Sequence, residues 1–363
     1  MEMRKETGRR KRQHPQSRRA AGVMFAVLLA AVCLMNLVFR GRLFPEGDKR
    51  EFLTAARANI SLLGGKRESN GIFKGKDHYL LEDIVKPDEA EVSRTLEHMK
   101  DFRSSYMDIP FYLMLVPGAA NVLSDKLPVF AVTEDQTEQF ENIKESLEQD
   151  FVWVDVEKAL EAEKKQEIYY HTDALWTTQG AFYACSGLIE SMGLGSQKHP
   201  SLKPYAVTGD FHGALSKDSG YEGGYREPVY IYSEEDAQDN TKVVVSYVEE
   251  GRKTATLYDS SKLNGEDKYA VFFGGDFPLI DIKTAAKADG RLLVVKDSYA
   301  NCLVPFLVPY FREIVMVDPR YYKKGLGHVM KDYEITSVLF LYGGNTFMED
   351  NKIRGVLTDD ETE

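Results

Sequence analysis

Five short apolar runs, spaced between helix-like segments, constrain the fold of this chain more than any other feature. They lie at residues 111–116, 151–154, 292–295, 314–317 and 338–342. A continuous apolar run of this length is typical of a strand that is buried on both faces. Strands that alternate with helices usually connect in parallel, so the sequence predicts an α/β fold with a doubly wound parallel sheet. Ligand sites in such sheets form beyond the carboxyl ends of the strands.

The middle of the chain has a different character. Residues from about 203 to 273 form short β-branched and aromatic segments that are separated by Gly and Asp turns. This pattern predicts a small antiparallel β insertion within an α/β domain that covers residues 87–363. Residues 40–86 are interpreted as a lead-in segment, because glycines interrupt them.

The N-terminus predicts a membrane anchor. Residues 1–19 carry eight basic and two acidic side chains, whereas residues 20–39 carry no charge. A helix over those twenty residues would span about 30 Å, the thickness of the hydrocarbon core. The run is long for a cleaved signal peptide and ends without a small-residue cleavage site. We therefore expect a basic cytoplasmic tail, an uncleaved transmembrane signal anchor at 20–39, and a folded extracytoplasmic domain on the cell membrane.

The charge balance narrows the choice of partners. The chain has a formal net charge of −11, and the part after residue 19 carries 38 basic and 55 acidic groups, a net of −17. A domain this acidic repels phosphate backbones, so nucleic-acid binding is not expected. The same negative charge opposes peripheral binding to anionic lipid. Attachment to the membrane is therefore assigned to residues 20–39 alone.

The cysteines give no sign of a metal site. Cys33 lies in the predicted span, which leaves Cys185 and Cys302. Each falls in an apolar helical pattern, where a buried free thiol is the commoner outcome, although pairing stays open. No Cys/His spacing indicates zinc, and we expect neither a metal nor a cofactor.

Ser298 is the first candidate for chemistry. It follows the apolar run at 292–295, at a predicted strand-to-helix turn. A serine there presents its hydroxyl, and the free N–H groups of the helix start can hold an oxyanion. The competing interpretation is a helix N-cap, for which Ser and Asp are the usual residues.

His171 and Asp173 are the second candidates. Side chains two positions apart in an extended segment face the same way. A nucleophilic serine needs a base and a group that orients the base. The competing interpretation is that Asp173 caps or pairs locally and that His171 is a surface residue.

Several short motifs occur in a characteristic order. They are GIFKGKD at 71–77, LVP at 115–117, KLP at 126–128, TD-x-x-WT at 172–177, FFGG at 272–275, KDSYAN at 296–301 and VDPRYY at 317–322. In order and spacing the chain resembles the DHHW family, which is itself similar to the alginate O-acetyltransferase-like branch of the SGNH-hydrolase superfamily.

The resemblance implies an SGNH-hydrolase-like fold and a set of roles. Ser298 would be the nucleophile and Asp173 the orienting acid. Backbone amides near Ser298 and the glycine turn at Gly275 would hold the oxyanion, with Tyr299 and Asn301 in support. Proteins of this kind pass acetyl groups to or from cell-surface or exported polysaccharide, often with a membrane-bound O-acyltransferase as donor, and the resemblance implies these partners.

The sequence departs from the family pattern at the expected base. The family has Asp-His-His-Trp where this chain has Asp-Ala-Leu-Trp at 173–176, so Leu175 stands where the histidine is expected. Loss of a triad base costs on the order of 10⁴- to 10⁶-fold in rate. Either His171 takes over, with His212 as a more distant third candidate, or the hydrolase chemistry is lost. Two hypotheses follow: an enzyme of polysaccharide O-acetylation or deacetylation, or a degenerate relative that binds glycan or an acyltransferase without turnover.

Overall fold

The described part of the chain begins after the predicted anchor. The structure is a computed structural model that describes residues 54, 67–195, 202–221, 224–234, 242–349 and 352–358. The predicted tail, the predicted span at 20–39 and most of the lead-in segment lie outside the described residues. Among the helices of the described residues, none has the length and apolarity needed to cross a bilayer.

The secondary structure alternates strands and helices for most of its length. The strands are β1 (Glu68–Ser69), β2 (Ile72–Lys74), β3 (Leu80–Glu82), β4 (Phe111–Val116), β5 (Val152–Trp153), β6 (Leu202–Phe211), β7 (Glu227–Glu234), β8 (Val244–Tyr247), β9 (Arg252–Thr254), β10 (Leu279–Lys283), β11 (Arg291–Lys296), β12 (Glu313–Val317) and β13 (Ser337–Gly343). The α-helices are α1 (Glu89–Ser104), α2 (Ala119–Val122), α3 (Gln136–Leu147), α4 (Glu157–Ala162), α5 (Thr178–Ser191), α6 (Ala214–Ser219), α7 (Val304–Leu307), α8 (Leu326–Asp332), α9 (Gly344–Glu349) and α10 (Lys352–Leu357).

The main sheet is mostly parallel. Within the described residues it has eight strands in the order β5-β4-β13-β11-β12-β10-β8-β9. The first five strands in this order pair in parallel, and the last three add to the β12 edge in antiparallel pairing. The five parallel strands lie within or beside the five apolar runs of the sequence, which confirms the predicted mixed α/β fold with a large, mostly parallel sheet.

The two faces of this sheet explain why its strands read as continuous apolar runs. Along β11, Leu292 and Val294 pack into one core cluster, while Leu293 and Val295 pack into the other. All four side chains are fully buried. A strand covered on both faces loses the alternation of apolar and polar residues that an exposed sheet shows.

The segment that was predicted as one antiparallel insertion divides into two parts. Strands β6 and β7 form a separate two-stranded antiparallel ribbon. Strands β8 and β9 instead extend the main sheet, because β8 pairs with β10. A local pattern of β-branched residues indicates strands but not their partners, so the sequence could not separate these two parts.

The chain after β11 does not form the long helix-like stretch that the sequence suggests. It makes a 3₁₀ turn at Ser298–Cys302, the short helix α7, and another 3₁₀ turn at Val308–Tyr310. Pro305 and Pro309 lie in this segment, and proline lacks the N–H that an extended helix requires. Ser298 consequently sits at the first position of a tight turn, directly after a buried strand.

Candidate active site

Three polar residues lie next to one another at the carboxyl end of β11. Lys296 is fully buried and Asp297 is 1% exposed, whereas Ser298 is only partly buried. Asp297 is the N-cap of the turn, since its Oδ1 accepts a hydrogen bond from the N–H of Tyr299 at 2.9 Å. The capping role considered for the serine therefore belongs to Asp297, and the Ser298 hydroxyl is left for other contacts.

The Ser298 hydroxyl lies between a carboxylate and a guanidinium. Its Oγ donates to Oδ2 of Asp276 at 2.5 Å and accepts from Nη2 of Arg320 at 3.0 Å. The same Nη2 lies 3.0 Å from Asp276 Oδ2, so the three groups form a closed triangle. This arrangement fixes the direction of the Oγ–H bond and places a positive charge at the oxygen.

A buried set of charges supports the triangle. Lys296 Nζ contacts Asp276 Oδ1 at 2.5 Å and Asp318 Oδ2 at 3.3 Å. Asp318 also receives Nε of Arg320 at 2.9 Å and Nη2 at 2.6 Å. Two cations thus balance two carboxylates. Removal of one member would leave an uncompensated buried charge, which is strongly destabilising.

The charge balance sets the protonation state of Asp276. Burial alone would raise the pKa of its carboxyl, but Lys296 and Arg320 hold that pKa well below the usual range. Asp276 is therefore a stable anion and a weak base. It can orient the Ser298 hydroxyl, whereas a strong proton acceptor has to come from elsewhere.

Asp297 holds the turn by two backbone hydrogen bonds. Its Oδ2 accepts from the N–H of Gly343 at 2.9 Å, which joins the end of β13 to the end of β11. Burial raises the pKa of Asp297 to about 6, although the N–H donors of Gly343 and Tyr299 oppose the rise.

A tight hairpin brings Asp173 to the same region. An isolated antiparallel bridge between Tyr169 and Trp176 closes the hairpin. The indole N–H of Trp176 donates to the carbonyl of Tyr299 at 2.9 Å, and the Tyr299 hydroxyl donates to the carbonyl of Ala174 at 2.6 Å. These reciprocal bonds fix the Asp173 segment against the Ser298 segment.

The Asp173 carboxylate is itself held by backbone donors. Oδ1 accepts from the N–H of Leu175 at 3.1 Å, and Oδ2 accepts from that of Ala214 at 2.9 Å. Burial raises the pKa of Asp173, and the two N–H donors oppose the rise. Gly213 permits this approach, since a Cβ there would lie 2.4 Å from the Cβ of Asp173. The structure thus gives Asp173 the local pairing that was the alternative to its role as an orienting acid, and it shows no His partner for this carboxylate in the described residues.

His171 is built into a different cluster. Its Nδ1 lies 3.1 Å from Glu227 Oε2, its Nε2 lies 3.5 Å from Glu167 Oε2, and its ring stacks on Tyr79 at 3.9 Å. It is 5% exposed, so it is not the surface residue of the competing interpretation. Both ring nitrogens face carboxylates, and His171 is not among the residues that line the cavity at Ser298.

His212 lies on the wall of that cavity. The cavity has a volume of about 450 Å³ and is lined by Ser298, Asp173, Leu175 and His212 among others. Nδ1 of His212 lies 3.0 Å from the carbonyl of Tyr225. A carbonyl accepts only, so in the neutral imidazole Nδ1 carries the proton and Nε2 is the acceptor.

The three support residues predicted from the resemblance lie at the site but are engaged in building it. The N–H of Gly275 donates to the carbonyl of Phe272 at 3.1 Å. The amide of Asn301 donates to Asp276 Oδ1 at 2.8 Å and accepts from Lys296 at 3.0 Å. Tyr299 makes the hairpin contact described above. Their roles as oxyanion donors remain predictions.

Two residues beside Ser298 were missed as site residues. Asp276 directly follows the FFGG motif, and Arg320 lies inside the VDPRYY motif. The order of the motifs indicates the family, but a single sequence does not show which polar residues of the motifs lie together in the fold. The sequence did contain a signal for both residues: Asp276 directly follows a glycine turn, and Arg320 lies shortly after the predicted strand at 314–317.

The cysteines and the potential metal ligands of the described residues are other candidate sites of chemistry. Cys185 and Cys302 are free and buried, and burial raises the pKa of both thiols to about 12. In the part of the chain that the structure describes, no three or more His, Cys, Asp or Glu side chains are placed to hold a metal ion.

The fold and the site together define an α/β protein with a serine-centred cavity at the carboxyl edge of a mostly parallel sheet. A family model described as DHHW protein matches residues 107–317, more than half of the chain. The chain belongs to the DHHW family. No curated protein matches it in sequence.

Solved structures are similar to this chain at low sequence identity, and the two with TM-scores above 0.6 show the same fold. A DHHW family protein from Eubacterium siraeum is 23% identical, with a TM-score of 0.68 over 79% of this chain and 95% of that one. Bacillus cereus PatB1, solved with a sulfonyl adduct, is 23% identical, with a TM-score of 0.63 over 77% and 96%. The O-acetyltransferase domain of Pseudomonas putida AlgJ is 15% identical, with a TM-score of 0.48 over 77% and 93%.

Proposed function

We propose that this protein is a serine-dependent acyl-transfer enzyme that adds acetyl groups to, or removes them from, a cell-surface or exported polysaccharide. The observation that carries the proposal is the Ser298 hydroxyl, which opens into a cavity while Asp276 and Arg320 fix its orientation. A positioned hydroxyl can act as a nucleophile once a base accepts its proton, and an adjacent cation stabilises negative charge on the oxygen.

The reaction is a double displacement. Ser298 Oγ attacks the acetyl carbonyl carbon of an ester donor, its proton passes to a base, and the donor C–O bond breaks as its alcohol is reprotonated. A hydroxyl of the acceptor sugar, or water, then attacks the acetyl-serine and releases Ser298. Arg320 stabilises negative charge on Oγ when the serine leaves, since its Nη2 already contacts that atom.

His212 takes the place of the missing family base in this proposal. Its Nε2 is the acceptor that the Tyr225 contact leaves free, and the residue lines the cavity that Ser298 lines. General bases act directly or through one water, so the proposal requires Nε2 to reach the Ser298 hydroxyl in one of these two ways. Asp276 does not act as the general base, since its lowered pKa makes it a weak proton acceptor.

The test is hydrolysis of a chromogenic acetyl ester by the wild type, beside Ser298→Ala and the exposed Ser104→Ala as a matched control. The proposal predicts turnover by the wild type and Ser104→Ala, with at least a hundredfold loss in Ser298→Ala. PatB1 was solved with a sulfonyl adduct, so a sulfonyl fluoride is a second probe and should label Ser298. Equal rates in all three proteins would end the proposal.

Leu175 favours a second candidate, a family member that binds glycan without turnover. It lines the cavity and packs against the main core, where it fills the position of the expected histidine. Under this hypothesis the wild type is inactive, and Leu175→His gains activity because it restores a base beside Asp173. Under the enzyme proposal the same substitution adds little.

The proposal also includes the location of the domain in the cell and the source of the acyl group. Residues 20–39 anchor it in the cell membrane, the folded part lies outside the cytoplasm, and the acyl group comes from a membrane-bound O-acyltransferase. The support is the uncharged run behind a basic tail and the resemblance to the alginate O-acetyltransferase-like branch.

A further inference from the structure

The walls of the Ser298 cavity carry more carboxylates than cations. The acidic lining residues are Glu82, Asp173, Glu266, Asp267, Asp276 and Asp297. The basic lining residues are Lys217 and Arg320. This imbalance bears on what can bind there, because a cavity lined by one sign of charge focuses its field on the ligand.

Salt bridges cancel only part of this charge. Asp276 is neutralised by Lys296 and Arg320. Glu266 forms an ion pair with Lys217. Arg320 and Lys296 also pair with Asp318, so these two cations do not compensate the other carboxylates of the cavity.

Four carboxylates remain with neutral donors only, as far as the described residues show. Glu82 accepts from the amide of Asn345 at 2.9 Å, and Asp267 accepts from the N–H of Ala270 at 3.2 Å. Asp173 accepts from two backbone N–H groups, and Asp297 accepts from two backbone N–H groups and from the side chain of Thr346. These acceptors retain lone pairs that a ligand donor can reach where they border the cavity.

We infer that the acceptor in this cavity is a glycan whose sugars carry no negative charge, and that amino-bearing sugars bind best. This inference rests on the proposed function. Sugar hydroxyl and ammonium groups donate hydrogen bonds to carboxylates, and bonds that involve an ionised group are the stronger kind. A uronic-acid carboxylate can only accept, so it meets like charge and gains no bond.

The experiment measures binding of three matched hexasaccharides to the full-length Ser298→Ala protein in detergent micelles by calorimetry. A chitosan hexamer supplies ammonium groups, an N-acetylglucosamine hexamer is neutral, and a galacturonate hexamer is anionic. At low salt the expected affinity falls in that order, with the anionic hexamer at least about tenfold weaker than the neutral one. The difference should shrink as salt rises, because screening shortens the range of the field.

Substitution of two carboxylates that line the cavity, Glu82 and Asp267, tests the role of the negative charge. Glu82→Gln combined with Asp267→Asn should strengthen binding of the galacturonate hexamer severalfold, whereas Glu97→Gln, outside the cavity on α1, should leave the order unchanged. Equal or tighter binding of the anionic hexamer, or binding of none of the three, would overturn the inference. Hydrolysis of a small neutral acetyl ester needs no glycan, so the proposed enzyme activity stands or fails separately.

Discussion

Individual side chains around Ser298 divide into those that build the site and those that can move a proton. Two cations and two carboxylates form a balanced ionic set that fixes the hydroxyl: Lys296, Arg320, Asp276 and Asp318. His171 is held by Glu227 and stacked on Tyr79. His212 is the imidazole on the cavity wall. His212 is therefore the base in our proposal, and His171 is assigned a supporting role.

Substitution of His212 tests this division. His212→Asn should lower kcat/KM for an acetyl ester by about 10²- to 10⁴-fold, the usual contribution of a general base, while the amide retains a donor for the carbonyl of Tyr225. Steady-state kinetics with a chromogenic ester checks this. His171→Asn is the matched control, and we expect it to lower stability while kcat changes little. Loss of turnover in His171→Asn alone would instead assign the base to His171.

Asp297 should make stability depend on pH. Its pKa is raised from 3.8 to about 6 in the folded protein, so the folded state binds this proton more tightly than the unfolded state. The favourable contribution is complete below about pH 4, is lost as the pH rises through 6, and amounts to about 3 kcal/mol.

The measurement is the free energy of unfolding by urea between pH 4 and pH 7 for the wild type and Asp297→Asn. The wild type should lose stability across this window more steeply than the variant, whatever other carboxyls contribute to both. Parallel curves for the two proteins would show that Asp297 has no raised pKa.

Among the helices and strands, the fold follows from local pattern where both faces of a strand are buried. The parallel strands were predictable because each overlaps a continuous apolar run, such as residues 292–295. A run of this kind indicates a strand that is buried on both faces. A turn at Ser298 was predicted, but the 3₁₀ turns and the short α7 that follow it were not, since Pro305 and Pro309 limit a stretch that otherwise looks helical. The helical pattern of α5 favours Phe182 on the inner face with Cys185 and Leu188, yet Phe182 is 37% exposed. Its ring stacks on Tyr232 of the ribbon at 5.1 Å instead.

The junction between β6 and α6 is a second feature that the sequence pattern does not reveal. Gly213 contacts the Asp173 hairpin across a long stretch of chain, and a Cβ there would meet Asp173 Oδ2 at 2.5 Å and the Thr172 carbonyl at 2.6 Å. Gly213→Ala should therefore destabilise the protein by about 1–3 kcal/mol and lower activity, because Asp173 must shift. Thermal unfolding and ester hydrolysis check both effects.

Gly209→Ala is the matched control for this substitution. Gly209 lies on β6, and a Cβ there has no atom within 4 Å. We expect unchanged activity and a small change in melting temperature. If the two alanine variants behave alike, the close approach at Gly213 does not position Asp173.

Across the chain as a whole, the placement of the domain outside the cytoplasm remains a prediction from residues 1–39. A reporter fused after Glu363 should be active only if it requires an extracytoplasmic location, and protease added to intact protoplasts should digest the folded domain. The physical reason is that the basic tail stays in the cytoplasm. Protection of the domain from protease would exclude every extracellular role proposed above.

The central claim is that Ser298 carries the acyl group. The most direct measurement is mass spectrometry of the protein quenched during turnover of an acetyl ester, with peptide mapping of the adduct. We predict an acetyl group on the peptide that contains Ser298 and no adduct at that peptide in Ser298→Ala. Sustained turnover by Ser298→Ala, or an acetyl group mapped to a different residue of the wild type, would contradict the account.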